Sequence, residues 1–506
     1  MPINLPLSLR VNSIFVSSGN VIRLVVSLIS IPLLVRFLGL ERYGVWAVLN
    51  SVIAIGTLME LGISTALTYS ISTSSAKQDW LSTKYGLSTS LTLITCLGVI
   101  SSLLLWLASS SIVNILFSNE KLGRVEALPA LTLLSWLILL RFWQQWAMAV
   151  EAALLRYDMQ IIVETISGVI LQLGIVVIAY TKGDLLLLTV WSLFITGLTL
   201  VGHYLVLKYL LIIRNLWIRF SWKEARDLVR FGILQWLSNF GSTLFGFADK
   251  IFVNLLLGAE AAGLYSAATS VAIQINSLSA IPLRVIPPAI SSAKAVNQLS
   301  RIQQIFLRAT QLNGLFVFLI AAPIMFWSHP LAGILVGHEY VNPTAKILQI
   351  LAVAYGIYSL NASAFFTAVG IGQPILNARW GLISGILFCI FLLVFTSLFG
   401  IIGAAWANII FAISLMTNFQ VVKVIKINYW TYIKSFLPAV LMITLWGFVS
   451  TFINNKPSIS LSINIPLFII LGMISIFFVG GYAILKEIIN TFVTIENKKI
   501  RFKKIL

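Results

Sequence analysis

Six ionisable side chains lie well inside long apolar stretches of the sequence. They are the cations Arg23, Arg141, Lys250 and Arg284 and the carboxylates Glu60 and Asp249. A charge at the centre of a bilayer costs roughly 2.5–3.5 kcal/mol even on the insertion scales, so such residues usually face a protein interior or a watery path. The cations outnumber the carboxylates, which predicts a net positive cavity suited to an anion. Arginine suits phosphate in particular, because its planar fork binds two oxygens at once. A structural pair, for instance Arg23 with Glu60, is the alternative for any single residue.

Polar residues form stripes along the helices that carry these charges. The stripes contain Asn20 on the first predicted span, Gln235, Asn239 and Ser242 on the seventh, and Gln274 on the eighth. Spacings of three and four residues put the members of a stripe on one helical face. These residues are predicted to line the cavity, whereas small hydroxyl residues also hold membrane helices together. Two further residues carry less weight: Glu164 is near a span end and able to snorkel, and His203 is more typical of an interfacial residue than of a proton relay.

Motifs for nucleotide hydrolysis and for metal binding are missing from the sequence. It contains no Gly-x-x-x-x-Gly-Lys-Ser/Thr loop, no His-Glu-x-x-His and no Cys-x-x-Cys. Its two cysteines, Cys96 and Cys389, each lie in an apolar stretch and are interpreted as core residues. The sequence therefore predicts a transporter rather than an enzyme, with no metal and no cofactor.

Composition predicts an all-α integral membrane protein. Of 506 residues, 59% are hydrophobic and only 10% are charged, whereas soluble domains carry roughly 25% charged residues. About fourteen apolar stretches are long enough to cross a bilayer core of roughly 30 Å. They lie near 13–37, 45–69, 87–108, 128–149, 159–180, 185–207, 231–257, 263–286, 305–327, 347–369, 375–398, 401–422, 435–453 and 463–485. No cleavage site follows the first stretch, which predicts a retained helix.

The net charge is +18, and the distribution of the basic residues along the chain indicates the membrane topology. Lysine and arginine concentrate in alternate loops and in the tail from Lys486 to Lys504, whereas the intervening loops hold few. This positive-inside pattern predicts that both termini are cytoplasmic. The basic tail is expected to attract anionic membrane lipid rather than nucleic acid.

An internal repeat divides the sequence into two similar halves. Leu38-Gly39-x-Glu41-x-x-Gly44-x-Trp46 recurs as Leu257-Gly258-x-Glu260-x-x-Gly263-x-Tyr265, offset by 219 residues. The same offset maps Asn20 onto Asn239, and Ile166-Ser167-Gly168 recurs at Ile383-Ser384-Gly385 with an offset of 217. The repeat predicts two parallel six-helix lobes around a central cationic cavity. The predicted lobes are 1–212 and 231–425, joined by a cytoplasmic linker at 213–230, with two additional helices and a basic tail in 426–506.

Over roughly residues 10–420 the chain resembles the polysaccharide-transport branch of the multidrug/oligosaccharidyl-lipid/polysaccharide exporter superfamily, which includes the O-antigen flippases. The resemblance is carried by the repeat just described, by Ala248-Asp249-Lys250, and by the turns Ala368-Val369-Gly370-x-Gly372-x-Pro374 and Phe399-Gly400-Ile401-x-Gly403-Ala404. It implies a cargo of undecaprenyl-diphosphate-linked oligosaccharide, moved from the cytoplasmic to the periplasmic leaflet of a bacterial inner membrane. On this resemblance Arg23, Arg141, Lys250 and Arg284 engage the diphosphate or acidic sugars, and Asp249 and Glu60 are candidates for H⁺ or Na⁺ coupling.

Several alternatives remain open from the sequence. The resemblance makes the O-antigen polymerase and chain-length regulator candidate partners. A multidrug or organic-cation antiporter of the same superfamily would require an acidic cavity, and the cation excess argues against it. A lipid II flippase takes a comparable anionic headgroup, so the charge of the predicted cavity does not distinguish it from an O-antigen flippase. A membrane O-unit polymerase or ligase is expected to show a large outer loop, which this chain lacks.

Overall fold

The computed structural model describes residues 9–76, 79–118, 121–154, 156–181, 183–210, 220–437 and 439–440. These residues are almost entirely helical and contain no β-strand, which confirms the predicted all-α class. Nine of the described segments are long and apolar enough to cross a membrane. The thirteenth and fourteenth predicted spans lie almost wholly outside the described residues, so the total of fourteen stays a prediction.

The helices follow one another with short connections. In chain order they are α1 (Leu9–Leu38), α2 (Leu40–Gly56), α3 (Ile63–Ala76), α4 (Trp80–Leu116), α5 (Lys121–Ala153), α6 (Tyr157–Thr181), α7 (Leu185–Tyr209), α8 (Trp222–Leu257), α9 (Ala259–Ser279), α10 (Ile286–Ala295), α11 (Leu299–Phe326), α12 (Ser328–Val336), α13 (Val341–Ser359), α14 (Ala362–Gly370), α15 (Ile375–Ala407), α16 (Met416–Val424) and α17 (Tyr429–Lys434). Short 3₁₀ helices occupy Thr57–Glu60, Ile281–Val285 and Asn408–Leu415. Predicted spans one to twelve all fall on these helices.

The second predicted span is interrupted in its middle. After the 3₁₀ turn, Leu61 and Gly62 adopt left-handed conformations with φ of 56° and 71°, and α3 begins at Ile63. A side chain at Gly62 would overlap the carbonyl oxygen of Gly232, so the break needs glycine for space as well as for φ. The indole of Trp236 donates to the carbonyl of Leu58 at 2.7 Å, which satisfies a backbone group in the interrupted stretch.

The described residues fall into two compact units. One contains Met1–Ala267 with Leu335–Gly337, and the other contains Ala268–Ile334 with the chain from His338 onwards. The division falls inside α9, and α8 begins at Trp222, within the predicted linker. The predicted lobes 1–212 and 231–425 therefore stay predictions.

The repeat is visible in the backbone. Gly39 has φ 78° and ψ 162°, and its counterpart Gly258 has φ 91° and ψ 173°. This region is essentially restricted to glycine. The next pair, Gly44 and Gly263, lies within the first unit, where α2 meets the start of α9. A side chain on Gly44 would overlap the carbonyl of Ala259, and one on Gly263 would overlap that of Leu40. Equivalent glycines of the two repeats thus allow two helices to touch through their backbones.

The second unit has its own apolar core. It is built from α10, α11, α14, α16 and α17, and Ile290, Phe306 and Val421 are fully buried within it. The Phe306 and Tyr432 rings stack with centroids 5.8 Å apart. On α11, the buried Asn313 side chain donates from its amide nitrogen to the Ser359 carbonyl at 2.9 Å.

Candidate functional site

A buried polar cluster lies in the first unit, where α1, α5, α6 and α7 pack together. At its centre His203 of α7 is fully buried between two carboxylates. Its Nδ1 lies 2.9 Å from Oε1 of Glu151 on α5, and its Nε2 lies 3.0 Å from Oε1 of Glu164 on α6. Glu151 is also fully buried. Three titratable groups from three helices therefore form one continuous chain, the Glu151–His203–Glu164 triad.

Glu164 connects this triad to the cations. The Gln144 amide of α5 donates to Oε1 of Glu164 at 2.6 Å, and Nη1 of Arg23 lies 3.5 Å from Oε2 of Glu164. Arg23 also donates from Nη2 to Asn20 at 2.7 Å, one turn earlier on α1. The Arg23 side chain is 35% exposed, whereas that of Glu164 is 12% exposed. The Arg23 side chain therefore contacts the cluster and is also partly accessible.

The second cation of the cluster reaches Glu164 from α5. Nη1 of Arg141 donates to Oε1 of Gln144 at 3.1 Å, and Arg141 interacts electrostatically with Glu164. Residues 141, 144 and 151 are spaced by three and seven, so α5 presents them all on one face. Two of the four predicted cavity cations, Arg23 and Arg141, are thus brought together around one carboxylate.

Local capping interactions fix the helices that carry the cluster. Asp184 caps α7, its Oδ1 accepting from the Leu186 amide at 2.8 Å. At the start of α6, Arg156 holds Asp158 through two hydrogen bonds of 3.0 and 3.1 Å. Both side chains are buried, each at 9% exposure. A bidentate pair of this kind fixes the direction in which α6 leaves the turn.

Another pair of predicted site residues lies on α8. Asp249 is fully buried, and its Oδ1 accepts the backbone N–H of Lys250 at 2.8 Å. Nζ of Lys250 lies 5.4 Å from the ring centroid of Phe247 on the same helix. In the described parts of the chain no carboxylate lies within salt-bridge distance of this ammonium group. The Phe247 ring instead provides a cation–π contact.

The other predicted residues do not join the cluster. Glu60 caps α3, with Oε1 accepting from the Ser64 amide. Gln274 donates to Ser270 of its own helix at 3.1 Å. Arg284 lies in the 3₁₀ turn after α9 with its side chain exposed. The side chains of Gln235, Asn239 and Ser242 lie outside the described residues. The roles assigned to all of these residues stay predictions.

The geometry corrects three interpretations made from sequence. Arg23 pairs with Glu164, not with Glu60. Glu164 does not snorkel to an interface, because three side chains hold it inside the unit. His203 is not interfacial, because its side chain is fully buried between carboxylates from two other helices. Sequence reasoning missed Glu151 altogether, although its place on the Arg141–Gln144 face of α5 was a usable signal.

Comparison with known proteins places the chain in a family. Residues 33–344 match the polysaccharide biosynthesis protein family. A Shigella flexneri protein named as an O-antigen transporter is 22% identical over 414 residues, which are 79% of this chain and 94% of that protein. A Haloferax volcanii protein named as a low-salt glycan biosynthesis flippase is 26% identical over 198 residues, which are 39% of this chain and 41% of that protein.

Solved structures share the fold at low sequence identity. The inward closed conformation of the lipid II flippase MurJ superposes with a TM-score of 0.71 and 14% identity, covering 94% of this chain and 99% of that one. An inward-facing MATE family multidrug transporter superposes with a TM-score of 0.63 and 15% identity, covering 83% and 95%. The fold is therefore that of these transporters, and the resemblance found in the sequence is confirmed. The chain is a multi-pass membrane protein and belongs to the polysaccharide biosynthesis protein family.

Proposed function

We propose that this protein is a flippase that moves undecaprenyl-diphosphate-linked oligosaccharide units from the cytoplasmic to the periplasmic leaflet of a bacterial inner membrane, by alternating access. The observation that carries the proposal is Arg23, an arginine within a membrane-spanning helix. Its guanidinium contacts Asn20 and Glu164, and the side chain as a whole is 35% exposed. An arginine held in this way is preorganised to receive a phosphate oxygen. The family and the relatives named as a transporter and a flippase support the same cargo class.

Lys250 in the first unit and Arg284 in the second are each further candidates for binding an anion. Lys250 has an aromatic contact and a neighbouring aspartate but no salt bridge in the described part of the chain. Arg284 is exposed at a helix interruption that contains Pro282. Cations without a tight carboxylate partner inside spanning segments are expected to face water or an anionic ligand. A cation-binding multidrug antiporter would instead require free carboxylates at its binding site.

The deciding experiment is deletion of the protein in its native host, followed by extraction of polyprenyl-linked oligosaccharides and a leaflet-accessibility assay. We expect the lipid-linked oligosaccharide to accumulate on the cytoplasmic side, with loss of surface polysaccharide. Re-expression of the intact protein restores both, whereas the Arg23→Ala variant, inserted to the same level, does not. Normal surface polysaccharide with new sensitivity to cationic drugs would replace the proposal with an antiporter. Accumulation of lipid II would replace it with a peptidoglycan-precursor flippase.

A further inference from the structure

The two contacts of His203 require more hydrogens than a neutral imidazole has. Each ring nitrogen lies 2.9–3.0 Å from a carboxylate oxygen, a distance that needs a hydrogen between the two atoms. A neutral imidazole has one N–H and one lone pair, and an ionised carboxylate has acceptors only. With both glutamates ionised and His203 neutral, one contact would therefore set two lone pairs against each other. The triad must hold one additional proton, on the imidazole or on a carboxyl group.

The surroundings of the triad favour an extra proton at Glu151 and set the net charge of the cluster. Oε2 of Glu151 is buried and has no hydrogen-bond partner among the described residues, and an unsolvated carboxylate oxygen is costly to keep charged. The charged groups that face the triad or adjoin it are Arg23 on α1, Arg141 on α5, Asp158 on α6 and Arg156 just before α6. Asp158 and Arg156 compensate each other, and the remaining two arginines balance the two glutamates. The extra proton therefore gives the cluster a net charge of +1.

Glu164 interacts both with the triad and with Arg23. It contacts His203 through Oε1 and Arg23 through Oε2. When the triad carries its proton, Glu164 is compensated by His203, and its attraction for Arg23 is weaker. When the proton leaves, Arg23 is the nearest compensating charge for Glu164. An anion and Glu164 thus compete for one guanidinium, and the proton biases the competition.

We propose that the Glu151–His203–Glu164 triad binds one exchangeable proton and that this proton frees Arg23 from Glu164 to bind the diphosphate of the cargo. The linkage to Arg23 rests on the proposed function, whereas the proton site itself does not. By thermodynamic reciprocity, anion binding at Arg23 must then make the triad hold its proton more tightly.

The first test detects the proton spectroscopically in the full-length protein. His203, His329 and His338 are the only histidines, and the latter two are exposed. The His329→Gln/His338→Gln double variant therefore isolates the His203 signals in ¹⁵N-histidine NMR, with infrared detection of protonated carboxyl groups alongside. We expect an imidazolium, or a neutral imidazole together with a protonated carboxyl band that Glu151→Gln or Glu164→Gln removes. A neutral imidazole without such a band at neutral pH would overturn the proposal.

The second test measures the linkage, with inorganic pyrophosphate as the probe. Pyrophosphate is expected to shift the titration midpoint of the triad towards alkaline pH, and Arg23→Ala is expected to abolish that shift. An absent shift in the histidine double variant, or a shift that persists in Arg23→Ala, would overturn the linkage. A protein that holds the proton but fails to restore surface polysaccharide in the deletion strain would overturn the proposed function and leave the proton site standing.

Discussion

One ion pair in the first unit is almost completely removed from solvent. Arg156 and Asp158 are each less than a tenth exposed and share two hydrogen bonds. Removing one partner of such a pair leaves the other charge buried without compensation, which costs about 3–5 kcal/mol. The net contribution of the pair relative to two apolar side chains is much smaller, because both charges lose their hydration.

Arg156→Ala is therefore expected to lower the stability of the protein by about 3–5 kcal/mol. The Arg156→Ala/Asp158→Ala double variant is expected to lose less than Arg156→Ala alone, since it leaves no orphaned carboxylate. Thermal unfolding of the purified proteins in one detergent gives the comparison. Equal losses in the single and double variants would show that Asp158 is compensated by other groups.

Substitution of Arg23 separates the contribution of its positive charge from that of its planar guanidinium at the proposed anion site. Arg23→Lys keeps the positive charge but removes the planar fork that reaches Asn20 and Glu164 together. We expect transport of the lipid-linked oligosaccharide to fall about tenfold or more, because a hydrogen bond to a charged group contributes about 1.5–3 kcal/mol. Arg42→Lys is the matched control, since Arg42 pairs with Glu126 outside the cluster. Equal transport in the two variants would remove Arg23 from the anion site.

Helix packing in the first unit depends on the glycines of the repeat. Gly44 and Gly263 have no room for a side chain, because each faces a backbone carbonyl of the opposite helix. Gly197 on α7 has nothing within 4 Å of the position that a side chain would take. The two kinds of helical glycine can therefore be told apart only by their neighbours.

Gly44→Ala is expected to destabilise the protein by about 1–3 kcal/mol, the usual cost of overpacking. Gly197→Ala is the control and is expected to be neutral or stabilising, because alanine favours the helix over glycine. Thermal unfolding measures both variants. An unchanged midpoint for Gly44→Ala would mean that α2 and α9 separate without loss.

At the scale of the whole molecule, the positive-inside pattern predicts which loops face each side of the membrane. In a variant without Cys96 and Cys389, Glu339→Cys is expected to react with a membrane-impermeant maleimide in intact cells. Lys223→Cys is expected to react only after the membrane is opened. Both side chains are exposed, so access to the reagent depends on the side of the membrane. The reverse labelling pattern would invert the predicted topology.

The sequence by itself determined the fold class, the apolar segments that form helices and the repeat. These follow from the length and periodicity of apolar stretches and from glycine spacing, which are local properties of a chain in lipid. The similar backbone angles at Gly39 and Gly258 and the contacts of Gly44 and Gly263 agree with that repeat. Embedded charges were also visible in the sequence, because an ionisable residue in an apolar stretch stands out by composition alone.

Only the tertiary structure decided which charges meet. Arg23, Glu151, Glu164 and His203 lie on four different helices, and their pairing depends on the rotation of each helix about its axis. That rotation is set by packing against neighbours far away in the chain, which no local pattern records. A histidine near a span end therefore resembled an interfacial residue, although α5 and α6 enclose it completely. The same packing holds Glu164 inside the unit, where it connects the proposed proton site to Arg23, although the sequence suggested that it could snorkel.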